Sequence, residues 1–138
     1  GRALFRRWCE AAGMSVAVDR MGTMFARREG AEPDLAPVYM GSHLDTQPTG
    51  GRFDGVLGVL GGLEVVRALD DAGVRTRRPI VLVNWTNEEG TRFAPAMLAS
   101  GVFAGVHTLD YAYGRTDAQG KTFGEELARI GWAGDEEV

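Results

Sequence analysis

Two apolar segments on either side of a glycine-rich helix constrain the fold of this chain most. Residues 79–85 (PIVLVNW) form a nearly continuous apolar run, as strands do inside a covered sheet. Residues 38–40 begin another apolar strand, and residues 55–72 have the pattern of a helix that ends at Gly73. A strand, a helix and a second strand in this order form a parallel pair with the helix on the sheet. The sequence therefore predicts an α/β domain with parallel pairing at its centre.

The rest of the chain adds shorter elements. They are predicted over residues 3–12 (helix), 14–19 and 24–28 (strands) and 122–130 (helix). Leu4, Phe5 and Trp8 fall on one stripe of the first helix. The central helix is apolar on most sides over residues 56–63, so we expect it to be largely buried. We expect the strand that begins at residue 38 to be more buried than the two strands before it.

Composition excludes several classes of protein. The chain has 138 residues, of which 44% are hydrophobic and 25% charged, as is typical of a soluble globular domain. A net charge of −4 argues against a nucleic-acid partner, and no apolar run is long enough to cross a membrane. Cys9 is the single cysteine, so no internal disulfide can form, which favours a reducing, cytoplasmic setting.

Polar side chains follow both strands of the predicted parallel pair. His43 and Asp45 come at the end of the first, Glu88 and Glu89 follow the second, and Asp54 stands just before the central helix. Because the carboxyl ends of parallel strands meet at one edge of a sheet, we expect these groups to lie close together. One imidazole nitrogen with carboxylate oxygens suits Zn²⁺, Mn²⁺ or Co²⁺.

Local spacing suggests roles for some of these groups. Asp54 stands where the central helix needs an N-cap. Asp45 lies two residues after His43, so its carboxylate could accept the second ring N–H of that histidine. Glu88 and Glu89 point in different directions on extended backbone, so one could bind metal while the other handles a proton. The spacing does not say which glutamate does which.

Each signal also has a simpler interpretation. A histidine at a strand end is often only hydrogen-bonded, a Glu-Glu pair is often a solvated surface, and Asp before Gly is often a turn. A non-catalytic α/β binding module therefore stays open on these residues alone. Their coincidence at one predicted sheet edge favours a functional site.

Two longer motifs carry a family resemblance. Residues 41–55 (GSHLDTQPTGGRFDG) and 84–97 (NWTNEEGTRFAPAM) closely resemble the hydantoinase/carbamoylase amidases of the M20 metallopeptidase superfamily. This group includes N-carbamoyl-L-amino acid hydrolases, β-ureidopropionases and allantoate amidohydrolases. The resemblance runs from residues 9–14 to residues 124–127, which is nearly the whole chain.

The resemblance implies a site with two divalent metal ions, Zn, Mn or Co. His43 would bind one ion, Glu89 would bind the other, and Asp54 would bridge both. Glu88 would be the general base that activates the attacking water. Asp45 matches the acidic residue that supports the first histidine.

The resemblance also implies a larger protein. Its fold would be a three-layer α/β/α sandwich of the zinc-dependent exopeptidase type, of which residues 1–138 would be the N-terminal part. Two further histidine ligands and a second, dimer-forming domain that contacts the substrate carboxylate would lie beyond residue 138. We therefore expect a homodimer at full length and no catalysis from these residues alone.

The implied activity is hydrolysis of the linear carbamoyl C–N bond of N-carbamoyl-L-amino acids. The partner would be a small N-carbamoyl amino acid or ureido acid, with neither nucleic acid nor membrane involved. Residues 47–51 (QPTGG) resemble the carbamoylase and β-ureidopropionase branch more than the allantoate branch. An allantoate amidohydrolase or an M20 peptidase with the same metal centre is the alternative.

Overall fold

A computed structural model describes all 138 residues, Gly1–Val138. In chain order its elements are α1 (Arg2–Ala11), β1 (Ser15–Val18), β2 (Met24–Arg28), β3 (Val38–His43), α2 (Val56–Asp71), β4 (Ile80–Trp85), α3 (Leu98–Phe103), α4 (Leu109–Tyr113) and α5 (Phe123–Arg129). Every element predicted from the sequence is present, whereas the short helices α3 and α4 are additional. None of the helices combines the length and apolar character needed to span a lipid bilayer.

The four strands form one mixed sheet in the order β1-β2-β4-β3. β3 and β4 pair in parallel with α2 as the crossover, and β2 pairs antiparallel with both β1 and β4. The register places Ser42 opposite Asn84 and His43 opposite Trp85. The carboxyl ends of β3 and β4 therefore lie side by side, as the strand-helix-strand pattern predicts.

Helices contact both faces of this sheet. Residues of α1 and α2, among them Phe5, Val59 and Leu63, pack against one face in a cluster that includes Leu82. On the other face, the ring of Phe103 in α3 lies 5.9 Å from that of Phe25 and 5.3 Å from that of Trp85. The predicted α/β/α class is therefore confirmed.

Two predictions of burial are wrong. Val38 and Tyr39 of β3 are 53% and 51% exposed, because β3 is the edge strand of the sheet. Leu57 of α2 is 68% exposed, because α2 touches the sheet with only one face and buries Val59, Gly62, Leu63 and Val66. Apolar composition alone does not reveal which sides of an element have neighbours.

The inward face of α1 also differs from the predicted stripe. Phe5 and Cys9 are buried, while Leu4 and Trp8 keep more than a third of their surface exposed. Phe5 and Cys9 are four residues apart and so lie one above the other on the helix. Burial raises the pKa of the Cys9 thiol to about 12, which keeps it protonated and inert.

Asp19, just after β1, is a fully buried carboxyl group. Its Oδ1 accepts the backbone N–H of Thr23 at 2.7 Å, whereas its buried Oδ2 has no hydrogen-bond partner. Burial raises the pKa of Asp19 from 3.8 to about 6, although N–H groups of Thr23 and Met21 oppose the change. Folding therefore makes this side chain easier to protonate, so that it is mostly neutral below about pH 6.

We expect Asp19 to make stability depend on pH. Because its folded pKa lies above its unfolded value, its contribution is fully present below pH 3.8 and is lost as the pH rises through about 6. The wild-type protein should lose about 3 kcal/mol of unfolding free energy across that window. Asp19→Asn should not show this loss, because its side chain does not ionise. Urea denaturation of both proteins between pH 3.5 and 7.5, with steps of about half a unit, measures the difference. Parallel pH profiles would contradict it.

Candidate metal centre

His43 is the last residue of β3 and is almost completely buried. Its Nδ1 lies 2.9 Å from the backbone carbonyl oxygen of Asp45. Because a carbonyl can only accept a hydrogen bond, Nδ1 is the donor in this contact, and Nε2 is the ring nitrogen that faces the carboxylates. Nε2 lies 3.2 Å from Oε2 of Glu88 and 3.7 Å from Oδ1 of Asp54.

Asp54 does not cap α2, so the predicted N-cap is wrong. The N-cap is Gly55, which has φ 67°, and no side chain caps the helix. A Cβ at Gly55 would lie 2.5 Å from Cε1 of His43, so only glycine lets the chain pass the imidazole here. The Asp54 carboxylate lies near His43 and does not bond the helix N–H groups.

Glu88 and Glu89 lie in the loop after β4, where the chain turns sharply. Asn87 has φ 54° and its buried amide donates to the carbonyl of Phe93 at 2.7 Å, which anchors the turn. Oε2 of Glu89 accepts a hydrogen bond from Nε2 of Gln47 at 2.8 Å. Oε1 of Glu89 is buried with no partner.

His43, Asp54 and Glu89 each offer a ligand atom within 4.8 Å of the others. The carboxylates of Asp54 and Glu88 lie around Nε2 of His43, and neither acid is within ion-pair distance of an Arg or Lys side chain. Clustered negative groups and an unpartnered buried oxygen cost free energy unless a cation joins them. The donor set therefore fits a divalent cation that accepts imidazole and carboxylate ligands.

The side chain of Asp45 makes a different contact from the one that the sequence predicts. Nδ1 of His43 donates to the backbone carbonyl of Asp45 and lies 3.6 Å from the nearer carboxylate oxygen. The carboxylate instead accepts two backbone N–H groups, from Glu88 at 3.2 Å and from Glu89 at 3.1 Å. The hydrogen-bond acceptor of Nδ1 is thus the backbone carbonyl of Asp45 and not its carboxylate, while the role of Asp45 in supporting the histidine stays a prediction.

Sequence reasoning missed two supporting residues. Gln47 holds Glu89, as described above, and it belongs to the loop that follows Asp45. Arg2 of α1 donates to the backbone carbonyl of Gly22 and, at 2.6 Å, to the hydroxyl of Thr86, the first residue after β4. Burial lowers the pKa of Arg2 from its ordinary value. No local pattern signals a contact across more than 80 residues.

Comparison with known proteins establishes the family. The model of peptidase family M20/M25/M40 matches residues 39–128, which include all five site residues discussed above. The chain belongs to this family. This confirms the resemblance to the M20 superfamily that the motifs at residues 41–55 and 84–97 carry.

Relatives of this M20 chain are known in sequence and in structure. It is 71% identical over all 138 residues to the N-carbamoyl-L-amino-acid amidohydrolase of Rhizobium meliloti, of which it covers 33%. It is 38% identical over 91% of its length to the ureidoglycolate hydrolase of Arabidopsis thaliana, of which it covers 27%. A solved hydantoinase/carbamoylase family amidase from Burkholderia multivorans superposes with a TM-score of 0.96 and 63% identity, over 99% of this chain and 33% of that one. The chain thus spans about a third or less of the length of these relatives.

Proposed function

We propose that residues 1–138 are the N-terminal part of the catalytic domain of a metal-dependent amidohydrolase. The intact enzyme would cleave the linear carbamoyl C–N bond of N-carbamoyl-L-amino acids and release the amino acid, carbon dioxide and ammonia. The observation that carries the proposal is the convergence of His43, Asp54 and Glu89 within 4.8 Å, with Glu88 beside them. The 71% identity to a protein with this activity in its name supports the substrate class.

In this proposal each residue of the site has a distinct role. His43, Asp54 and Glu89 would hold two divalent ions, with Asp54 shared between them. Divalent ions, when bound, polarise a substrate carbonyl and acidify water. Glu88, whose side chain is 29% exposed, would take a proton from the attacking water and return it to the leaving nitrogen.

An assay of the full-length enzyme with Mn²⁺ or Zn²⁺ tests the substrate class. The panel contains N-carbamoyl-L-amino acids, ureidoglycolate, allantoate and dipeptides, since the Arabidopsis relative is named for ureidoglycolate. We expect the highest kcat/KM with an N-carbamoyl-L-amino acid. Preference for ureidoglycolate, allantoate or a dipeptide would identify another branch of the family, and no turnover with any of them would refute the proposal.

Metal binding should depend on His43 and not on the other histidine. We expect His43→Ala to weaken binding of Zn²⁺ or Mn²⁺ by at least about tenfold, because the imidazole ligand is lost. His107→Ala is the matched control, since His107 stacks on Tyr111 at 4.9 Å and takes no part in the cluster. Calorimetric titration of the three proteins measures the effect. Equal affinities would show that His43 is not a metal ligand, and no metal binding by any of the three would favour the non-catalytic binding module.

Two features of the intact protein complete the proposal. A homodimer would follow from the family resemblance, in which a second domain pairs the subunits. A cytoplasmic setting accords with the single buried cysteine. Analytical ultracentrifugation of the full-length protein tests the first, and fractionation of the source cells tests the second.

A further inference from the structure

The carboxylate of Asp45 makes an unusual pair of contacts beside the proposed metal ligands. Its Oδ1 lies 3.2 Å from the backbone nitrogen of Glu88, and its Oδ2 lies 3.1 Å from that of Glu89. One side chain from the loop after β3 thus binds two consecutive N–H groups of the loop after β4. These residues are more than 40 positions apart in the chain.

Two consecutive N–H groups converge on one anion only where the backbone turns. Asn87, directly before Glu88, has the left-handed φ of 54° that such a turn requires. Hydrogen bonds from N–H groups to a carboxylate are charge-assisted and stronger than bonds between neutral groups. The contacts fix the backbone from which both glutamate side chains project.

The imidazole has a hydrogen-bond acceptor other than this carboxylate. Its Nδ1 donates at 2.9 Å to the backbone carbonyl of Asp45, a group that survives every substitution at position 45. The carboxylate oxygen lies farther away, at 3.6 Å. Removing the side chain should therefore leave the hydrogen on Nδ1 of His43.

We infer that Asp45 is a positioning residue that acts on Glu88 and Glu89 through their backbone amides, and not on His43 through its ring. This inference rests on the proposed function only for the roles of the two glutamates. The hydrogen bonds themselves can be tested on the chain without any substrate.

Nitrogen-15 NMR of the metal-free full-length protein tests the wild-type contact first. The amides of Glu88 and Glu89 should exchange with solvent at least about tenfold more slowly than that of Thr91 in the same loop, whose N–H donates no hydrogen bond. Fast exchange of both glutamate amides would overturn the inference. This measurement needs no variant, so it does not depend on whether a substituted chain folds.

Asp45→Asn then separates the two possible roles of the side chain. The side-chain amide oxygen can accept one of the two N–H groups. The other N–H group then faces the amide nitrogen, which is a donor and cannot accept it. We expect the Glu88 and Glu89 amide resonances to shift and their exchange to accelerate about tenfold, while the ring nitrogen shifts of His43 stay unchanged. Altered ring shifts with unaltered glutamate amides would show that Asp45 acts on the imidazole of His43 instead. Asp34→Asn, at an exposed acid of another loop, controls for the loss of one charge.

In the full-length enzyme the same substitution should weaken metal affinity or lower kcat by about 10–100-fold, the usual range for residues that support metal ligands. Chemical shifts and exchange rates do not involve turnover, so they distinguish the two proposals. A normal NMR result with no carbamoylase activity would refute only the proposed function. Unprotected glutamate amides in an active enzyme would refute only the role of Asp45.

Discussion

Replacing Glu88 with Gln should lower kcat of the full-length enzyme by about 10²–10⁴-fold with little change in metal content. Gln has nearly the shape of Glu but cannot accept a proton from water at neutral pH. Glu88 stands beside the group of His43, Asp54 and Glu89 without being one of its three ligand residues. Steady-state kinetics together with metal analysis of the purified protein measure both quantities.

Glu89→Gln is the matched control, because it makes the same chemical change one residue along the chain. It removes a charged oxygen from the metal cluster, so we expect lower activity together with lower metal content. A Glu88→Gln enzyme with wild-type kcat would show that this residue is not the general base. If Glu88→Gln lost metal instead, Glu88 would be the metal ligand and Glu89 the general base.

Gly41→Ala should destabilise the fold by about 3–5 kcal/mol. Gly41 lies in β3 opposite Val83 with φ 144°, and an added Cβ would lie 2.1 Å from the carbonyl oxygen of Val83. The contact is with the backbone of β4, an interior strand of the sheet, so no side chain can move aside to relieve it. Chemical denaturation followed by circular dichroism measures the change in unfolding free energy.

Gly61→Ala provides the opposite case in the same protein. Gly61 lies inside α2, and an added Cβ would meet nothing within 4 Å. Alanine favours helix more than glycine does, so this variant should gain about 0.5–1 kcal/mol. If both glycine variants had wild-type stability, the close approach of β3 to β4 at Gly41 would be refuted.

The sequence predicted the central elements because their signals are local. The apolar run of β4 and the periodicity of α2 are readable within single segments, and their order requires a parallel pair. That pairing in turn places His43 and the Glu88-Glu89 loop at one edge of the sheet. The burial of β3 and α2 was not readable, because exposure depends on which neighbours an element has.

By itself, the sequence determined the α/β class, the family and the identity of the polar residues at the carboxyl edge of the sheet. Only the tertiary structure decided what each polar group contacts. Asp54 lies near His43 and does not cap the helix. A backbone carbonyl binds the ring of His43, while the carboxylate of Asp45 binds a distant loop. Such contacts depend on backbone direction and on partners tens of residues away, and neither is encoded in the spacing of neighbouring side chains.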